Sequence, residues 1–123
     1  IVDAESARAA RAASGAAGVM IGRGALGAPW LPAEIAHRLH GAPAPAIPRG
    51  PALADLVSEH YEAMLGFYGA ELGGRVARKH LGWYMDRAGT GPVLRRQILT
   101  SSDPAQVLAA LPDALSAQQA EAA

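Results

Sequence analysis

The sequence contains no cysteine. Disulfide bonds, thiolate metal sites and a thiol nucleophile or acid are therefore excluded from these 123 residues. Basic and acidic residues balance at 11 each, so a uniformly basic nucleic-acid binder is excluded and only local patches can attract anions. No apolar run reaches membrane-spanning length and no signal peptide is recognisable. We expect a cytoplasmic chain with no membrane contact.

An apolar run that ends in glycines lies between Gly18 and Gly27. The continuous apolar segment Val19 to Ile21 is typical of a parallel strand covered on both faces, and we predict one strand from Ala17 to Gly22. The glycines Gly22 and Gly24 allow backbone N–H groups to converge on an anion. The pattern predicts a phosphate-binding turn, with a tight turn that binds nothing as the alternative.

The glycine spacing also fits the dinucleotide-binding pattern G-x-G-x-x-G, through Gly22, Gly24 and Gly27. That pattern requires a long helix directly after the glycines and an acidic residue about 20 positions later at the end of a second strand. Pro29 and Trp30 interrupt the first requirement, and the acidic residues that follow lie in helical segments. The phosphate site after the last strands of a (β/α)₈ barrel is the better match.

The residues before this turn predict a helix from Ala4 to Ala13, with Asp3 as its N-cap. A lone parallel strand cannot complete its own hydrogen-bonded ladder or bury both of its faces. We therefore expect a C-terminal piece of a longer protein, in which residues 1–30 are the last helix and strand of a truncated TIM barrel. The fold class is mainly α.

Residues 31–123 are predicted to form a helical bundle. Helical periodicity predicts helices over Pro29 to His40, Ala52 to Leu72 and Arg75 to Arg87, with a linker at 41–51 and a break at Gly73-Gly74.

Two shorter helices are predicted to follow in the bundle. One runs from Pro92 to Leu99, and the other starts at Asp103 and ends or kinks at Pro112, with a frayed end beyond Leu115.

Basic residues are concentrated in the middle of this neutral chain. They could contact the phosphates of RNA, with the rings of Trp83 and Tyr84 either stacking on bases or packing in the core. The alternative is a solvated helix face. The candidates are Arg75, Arg78, Lys79, Tyr84, Arg87, Arg95 and Arg96.

Histidines offer weaker candidates. Glu34, His37 and His40 have the three-residue spacing of metal-ligand pairs, but no second ligand cluster accompanies them and we expect no metal site. His60 falls within an apolar helical stripe, where a hydrogen-bonded core or boundary residue is expected.

Three segments together carry a family resemblance: Ser14–Gly27 (SGAAGVMIGRGALG), Pro29–Leu31 (PWL) and Arg78–Tyr84 (RKHLGWY). They resemble the C-terminal part of a bacterial tRNA-dihydrouridine synthase. The order and separation of these segments match the family over most of the chain.

The resemblance implies an FMN-dependent barrel that reduces uridine in tRNA to 5,6-dihydrouridine, with NADPH as the reductant, and an appended helical domain that binds tRNA. It assigns contact with the FMN phosphate to Gly22 and Arg23, with the amides around Gly24 beside them. The family's cysteine acid is absent, so no catalytic residue is expected in this piece. The alternatives are an RNA- or protein-binding helical module without a flavin, and part of another FMN barrel, such as a dihydroorotate or dihydropyrimidine dehydrogenase.

Overall fold

The computed structural model describes residues 1–116. Within that range it contains six α-helices and a short 3₁₀ turn. The helices are α1 (Ala4–Ser14), α2 (Leu31–His40), α3 (Pro51–Tyr68), α4 (Ala70–Ala88), α5 (Pro92–Thr100) and α6 (Pro104–Leu115). The chain divides into two compact units, Ile1–Ile47 and Pro48–Ala123. The helix α2 thus groups with the first unit, whereas the predicted division at residue 30 concerns membership of a barrel and stays a prediction.

Helix α1 begins where its capping residues predict. The Ser6 backbone N–H donates to Asp3 Oδ1 at 2.7 Å, and Ser6 Oγ accepts from the Asp3 backbone N–H at 3.2 Å. Hydrogen bonds to the Asp3 carboxylate from the Ser6 backbone and, second, from the Ser6 side chain lower the pKa of the Asp3 carboxyl. Gly15, with φ of 69°, ends the helix in the left-handed conformation that glycine adopts without strain. The predicted helix and its N-cap are confirmed.

The first unit has a small core in which α1 packs against α2. Alanine on α1 allows close approach of the two helices, and the apolar face of α2 fills the space between them. The buried members are Ala7, Ala28, Leu31 and Ile35.

The predicted strand at Ala17 to Gly22 is wrong for this structure, since residues 1–116 contain no strand. Val19 and Ile21 pack partly against the first core, whereas the Met20 side chain is 86% exposed. A strand needs a neighbour that exchanges backbone hydrogen bonds with it, and none of the described segments supplies one. The side chains of residues 19–21 thus alternate between the core and solvent, as in a strand, but their backbone has no strand partner. The structure therefore does not show the last strand of a barrel in this segment.

The helices α3 and α4 form an antiparallel pair that is the frame of the second unit. They are separated at Gly69, where φ is 85°, and not at the predicted Gly73-Gly74. Gly73 lies inside α4, where a Cβ would stand 2.7 Å from the Met64 carbonyl oxygen and 2.9 Å from Leu65 Cα. Glycine at this position lets the two backbones approach, and the close packing of α3 on α4 outweighs glycine's low helix propensity.

The helices α5 and α6 close the second unit over the α3–α4 pair. Asp103 caps α6 by accepting the Ala105 backbone N–H at 3.0 Å, as predicted. Pro112 does not end α6, which continues to Leu115. The predicted fraying concerns residues beyond Ser116, outside the described part of the chain. The largest fully buried side chains of this core are Val57, Leu81, Met85, Ile98, Leu111 and Leu115.

Candidate functional site

The predicted phosphate residues lie together on one exposed turn of the first unit. Gly22 precedes the 3₁₀ turn Arg23–Ala25, in which the Ala25 backbone N–H donates to the Gly22 carbonyl at 3.0 Å. No atom outside the immediate neighbours lies within 4 Å of a Cβ built on Gly22, and the Arg23 side chain is exposed. An exposed guanidinium beside an open glycine backbone has the donors and the space that a phosphate group needs.

Gly24 has a different role from Gly22. A Cβ at Gly24 would overlap the carbonyl oxygen of Ile1 and would lie 3.2 Å from Val2 Cα. The absence of a side chain therefore lets the first residues of the chain pass directly beside the turn. Gly24 fixes the position of the turn, and Gly22 leaves its outer side open.

The basic candidates of α4 point away from the core, as the helical period predicts. Ala77, Leu81 and Tyr84 are buried, whereas Arg75 and Arg78 are exposed. Among residues 1–116, neither arginine forms an ion pair. Their charges are therefore available to an anion. Lys79, Arg87 and Arg96 are also exposed.

Arg95 differs from the other basic candidates because its charge is already compensated. Its Nη1 donates to Asp86 Oδ1 at 2.6 Å and to the Gly82 carbonyl at 3.2 Å. These bonds fasten α5 to α4 over a buried glycine. The assignment of Arg95 to an RNA contact is weakened, because a phosphate would have to compete with the Asp86 carboxylate.

Tyr84 does not present its ring for base stacking, which corrects the prediction from sequence. Its side chain is 3% exposed, and its hydroxyl lies 3.0 Å from His60 Nδ1. Burial raises the pKa of the Tyr84 phenol. The helical period could not separate core packing from stacking, whereas the contact with α3 does.

The partner histidine belongs to a half-buried aromatic cluster between α3 and α4. The rings of His60 and His80 meet edge to face at 4.9 Å, and His80 meets Trp83 at 5.0 Å. Burial lowers the pKa of both histidines, and the nearby His60 lowers that of His80 further. The prediction of a hydrogen-bonded boundary residue at His60 is confirmed.

A cavity of about 460 Å³ opens between α3, α4 and the α5–α6 junction. Arg75, Arg78, Ser101 and Ser102 contribute to its wall, together with the phenol of Tyr61. Burial raises the pKa of Tyr61, and the charge of Arg78 acts on it in the opposite sense. Sequence reasoning missed this cavity, because the serine pair was interpreted only as the signal that starts α6.

Neither a metal site nor a membrane span emerges from the described part of the chain. Among residues 1–116 no group of three or more His, Asp or Glu side chains is placed to hold a metal ion. His37 Nδ1 instead lies 2.7 Å from the Ala42 carbonyl oxygen. Within the same residues, no helix combines the length and the hydropathy needed to cross a membrane.

The chain is similar to known proteins of one family. The sequence model of the family described as "Dihydrouridine synthase (Dus)" matches residues 1–120. A "Probable tRNA-dihydrouridine synthase" of Rhodobacter capsulatus is 53% identical over 120 residues, which are 98% of this chain and 36% of that protein.

More distant relatives carry the same name. The Rickettsia conorii protein is 39% identical over 107 residues, which are 87% of this chain and 32% of that protein. The Mycobacterium leprae protein is 41% identical over 98 residues, which are 80% of this chain and 26% of that protein. The chain thus spans only 36% or less of the length of these curated relatives.

Proposed function

This chain belongs to the dihydrouridine synthase family, and on that premise we propose that it is the C-terminal part of a tRNA-dihydrouridine synthase. The proposed enzyme is an FMN-dependent oxidoreductase that reduces uridine in tRNA to 5,6-dihydrouridine at the expense of NADPH. The observation that carries the proposal is the match of the family model to residues 1–120. The whole enzyme would act in the cytoplasm.

Gly22, Arg23 and Gly24 are proposed to hold the phosphate of FMN. The exposed Arg23 guanidinium and the open backbone at Gly22 support this assignment, because both are accessible to an anion from outside the first unit. The bound flavin would supply the hydride chemistry. The described residues would position its phosphate and contribute no catalytic group.

Exposed basic residues of the second unit are proposed to contact the phosphates of tRNA. Their accessibility supports the proposal, as does the absence of ion pairs for Arg75 and Arg78 within the described range. Arg95 and Tyr84 are left out, because the first pairs with Asp86 and the second is buried. The proposed contacts are Arg75, Arg78, Lys79, Arg87 and Arg96.

A chimera tests the proposed function. The matched part of the Rhodobacter capsulatus relative would be replaced by residues 1–123, and dihydrouridine would be measured by mass spectrometry after incubation with an unmodified tRNA transcript, FMN and NADPH. At 53% identity we expect the chimera to form dihydrouridine as the unaltered relative does. A folded, inactive chimera beside an active relative would contradict the proposal.

A further inference from the structure

The cavity beside Arg75 and Arg78 is separate from the turn at Arg23 and lies entirely within the second unit. Its volume of about 460 Å³ is within the range of roughly 300–1,000 Å³ that is usual for small-ligand sites. A solvated helix face would offer charges without such a recess. A recess lined by two arginines therefore favours a ligand group that enters the protein, in addition to one that lies across its surface.

The wall of the cavity combines two chemistries. The two arginines and the hydroxyl of Ser102 supply hydrogen-bond donors, whereas the Ser101 hydroxyl already donates to Gln106 Oε1 at 3.1 Å. The floor is aliphatic and includes Leu81, which is 1% exposed. A ligand that fits both parts has an anionic group joined to a flat or ring-shaped body, and a nucleotide has these two parts.

The charge of the lining favours a particular form of phosphate. Arg75 and Arg78 contribute two positive charges and Glu71 one negative charge, which leaves a net charge of +1. A phosphodiester carries one negative charge, whereas a phosphomonoester carries about −1.5 to −2 at pH 7. The Ala105 backbone N–H at the start of α6 does not add to the anion site, because the Asp103 carboxylate already accepts it. The balance of charge matches a link in an RNA chain better than a free nucleotide.

We infer that this cavity receives one unpaired nucleotide of an RNA, with its phosphodiester on Arg75 and Arg78 and its base or ribose against the aliphatic floor. A paired nucleotide cannot enter a recess, because its base is held in the stack of the duplex. The inference rests on the proposed function, since it names the form in which the second unit takes tRNA. It assigns Lys79 and Arg96 to contacts outside the cavity.

Gly74 provides a test that leaves every charge in place. It lines the cavity, and a Cβ built on it meets nothing within 4 Å. Gly74→Leu should therefore fill the recess without disturbing the helix. Gly66→Leu is the matched control, because Gly66 is a helical glycine of α3 with equally open surroundings and does not line the cavity.

Binding of three probes to the full chain would be measured by fluorescence anisotropy: hexauridylate, an RNA duplex and free uridine 5′-monophosphate. We expect Gly74→Leu to weaken binding of hexauridylate by about tenfold or more. A filled recess keeps the phosphodiester from Arg75 and Arg78, and the loss of one charge-assisted hydrogen bond has this size. Binding of the duplex should change little, and Gly66→Leu should bind all probes as the unaltered chain does.

The outcomes separate this inference from the proposed function. Unchanged hexauridylate binding by Gly74→Leu, in a chain that binds RNA, overturns the inference alone. No RNA binding by the unaltered chain overturns the proposed RNA contacts and this inference together. Uridine monophosphate bound as tightly as hexauridylate, and lost in Gly74→Leu, replaces the RNA site by a free-nucleotide site. If Gly74→Leu fails to fold, Arg75→Ala with Arg78→Ala must weaken hexauridylate binding about tenfold or more and leave duplex binding little changed, and an equal loss for both probes overturns the inference while keeping the surface contacts.

Discussion

The close approach of α3 and α4 at Gly73 predicts a measurable cost for adding one methyl group. In Gly73→Ala the new Cβ would lie 2.7 Å from the Met64 carbonyl oxygen and 2.9 Å from Leu65 Cα, so the backbone of α3 must move. Overpacking of this kind costs about 1–3 kcal/mol, and contact with backbone places it in the upper part of that range. Alanine returns about 0.5–1 kcal/mol of helix propensity. We expect a net loss of about 1–2 kcal/mol in the free energy of unfolding.

The neighbouring Gly74→Ala is the matched control. Its Cβ enters open space, so only the propensity term remains and the variant should gain about 0.5–1 kcal/mol. Urea unfolding followed by Trp83 fluorescence, in a Trp30→Phe background, reports on the second unit. The two midpoints should differ by on the order of 1 M or more. Gly73→Ala as stable as Gly74→Ala would refute the close approach.

Three further predictions concern the other sites. In the chimera, Arg23→Ala should weaken FMN binding about 10- to 100-fold, since a charge-assisted hydrogen bond contributes about 1.5–3 kcal/mol, and unchanged FMN occupancy after dialysis would remove Arg23 from the site. Tyr84→Phe should lower the free energy of unfolding by about 0.5–1.5 kcal/mol through loss of the His60 hydrogen bond, whereas tRNA affinity should stay the same because the ring is buried, and a loss of affinity in the folded variant would contradict this. Burial lowers the pKa of His60 and His80, so as the pH falls the unfolded state binds protons before the folded state does. The free energy of unfolding should therefore be highest above the unfolded histidine pKa of about 6.5 and should decrease as the pH drops below that value. Urea midpoints between about pH 7.5 and 5.5 test this, and a midpoint that does not move would contradict it.

Helix starts could be predicted from the sequence because the determinants are local. Asp3 with Ser6, and Asp103 with Pro104, satisfy the first backbone N–H groups through side chains two or three residues away. Such bonds form with little regard to the rest of the fold. The predicted and observed helices therefore agree closely at these ends.

Features that depend on a partner segment could not be predicted in the same way. The apolar pattern of Val19 to Ile21 suits a strand, but a strand also requires a neighbour, and none of the described residues forms one. The Gly73-Gly74 pair predicts a helix break from sequence alone, and only the close packing of α3 explains why glycine lies inside α4 at Gly73. Likewise, the cavity depends on Ser101 and Ser102 returning to α4, which no local pattern in the sequence specifies.

The interaction of the second unit with tRNA is tested most directly by the salt dependence of binding. The affinity of an unmodified tRNA transcript would be measured over a salt series for the full chain and for the triple variant Arg75→Ala, Arg78→Ala, Lys79→Ala. Three lost phosphate contacts should reduce the slope of log affinity against log salt by about 2–3 units and weaken binding at low salt. Helix content should be retained, because alanine is a good helix former at these exposed positions. An unchanged slope with unchanged affinity would contradict the account and leave α4 with a solvated basic face.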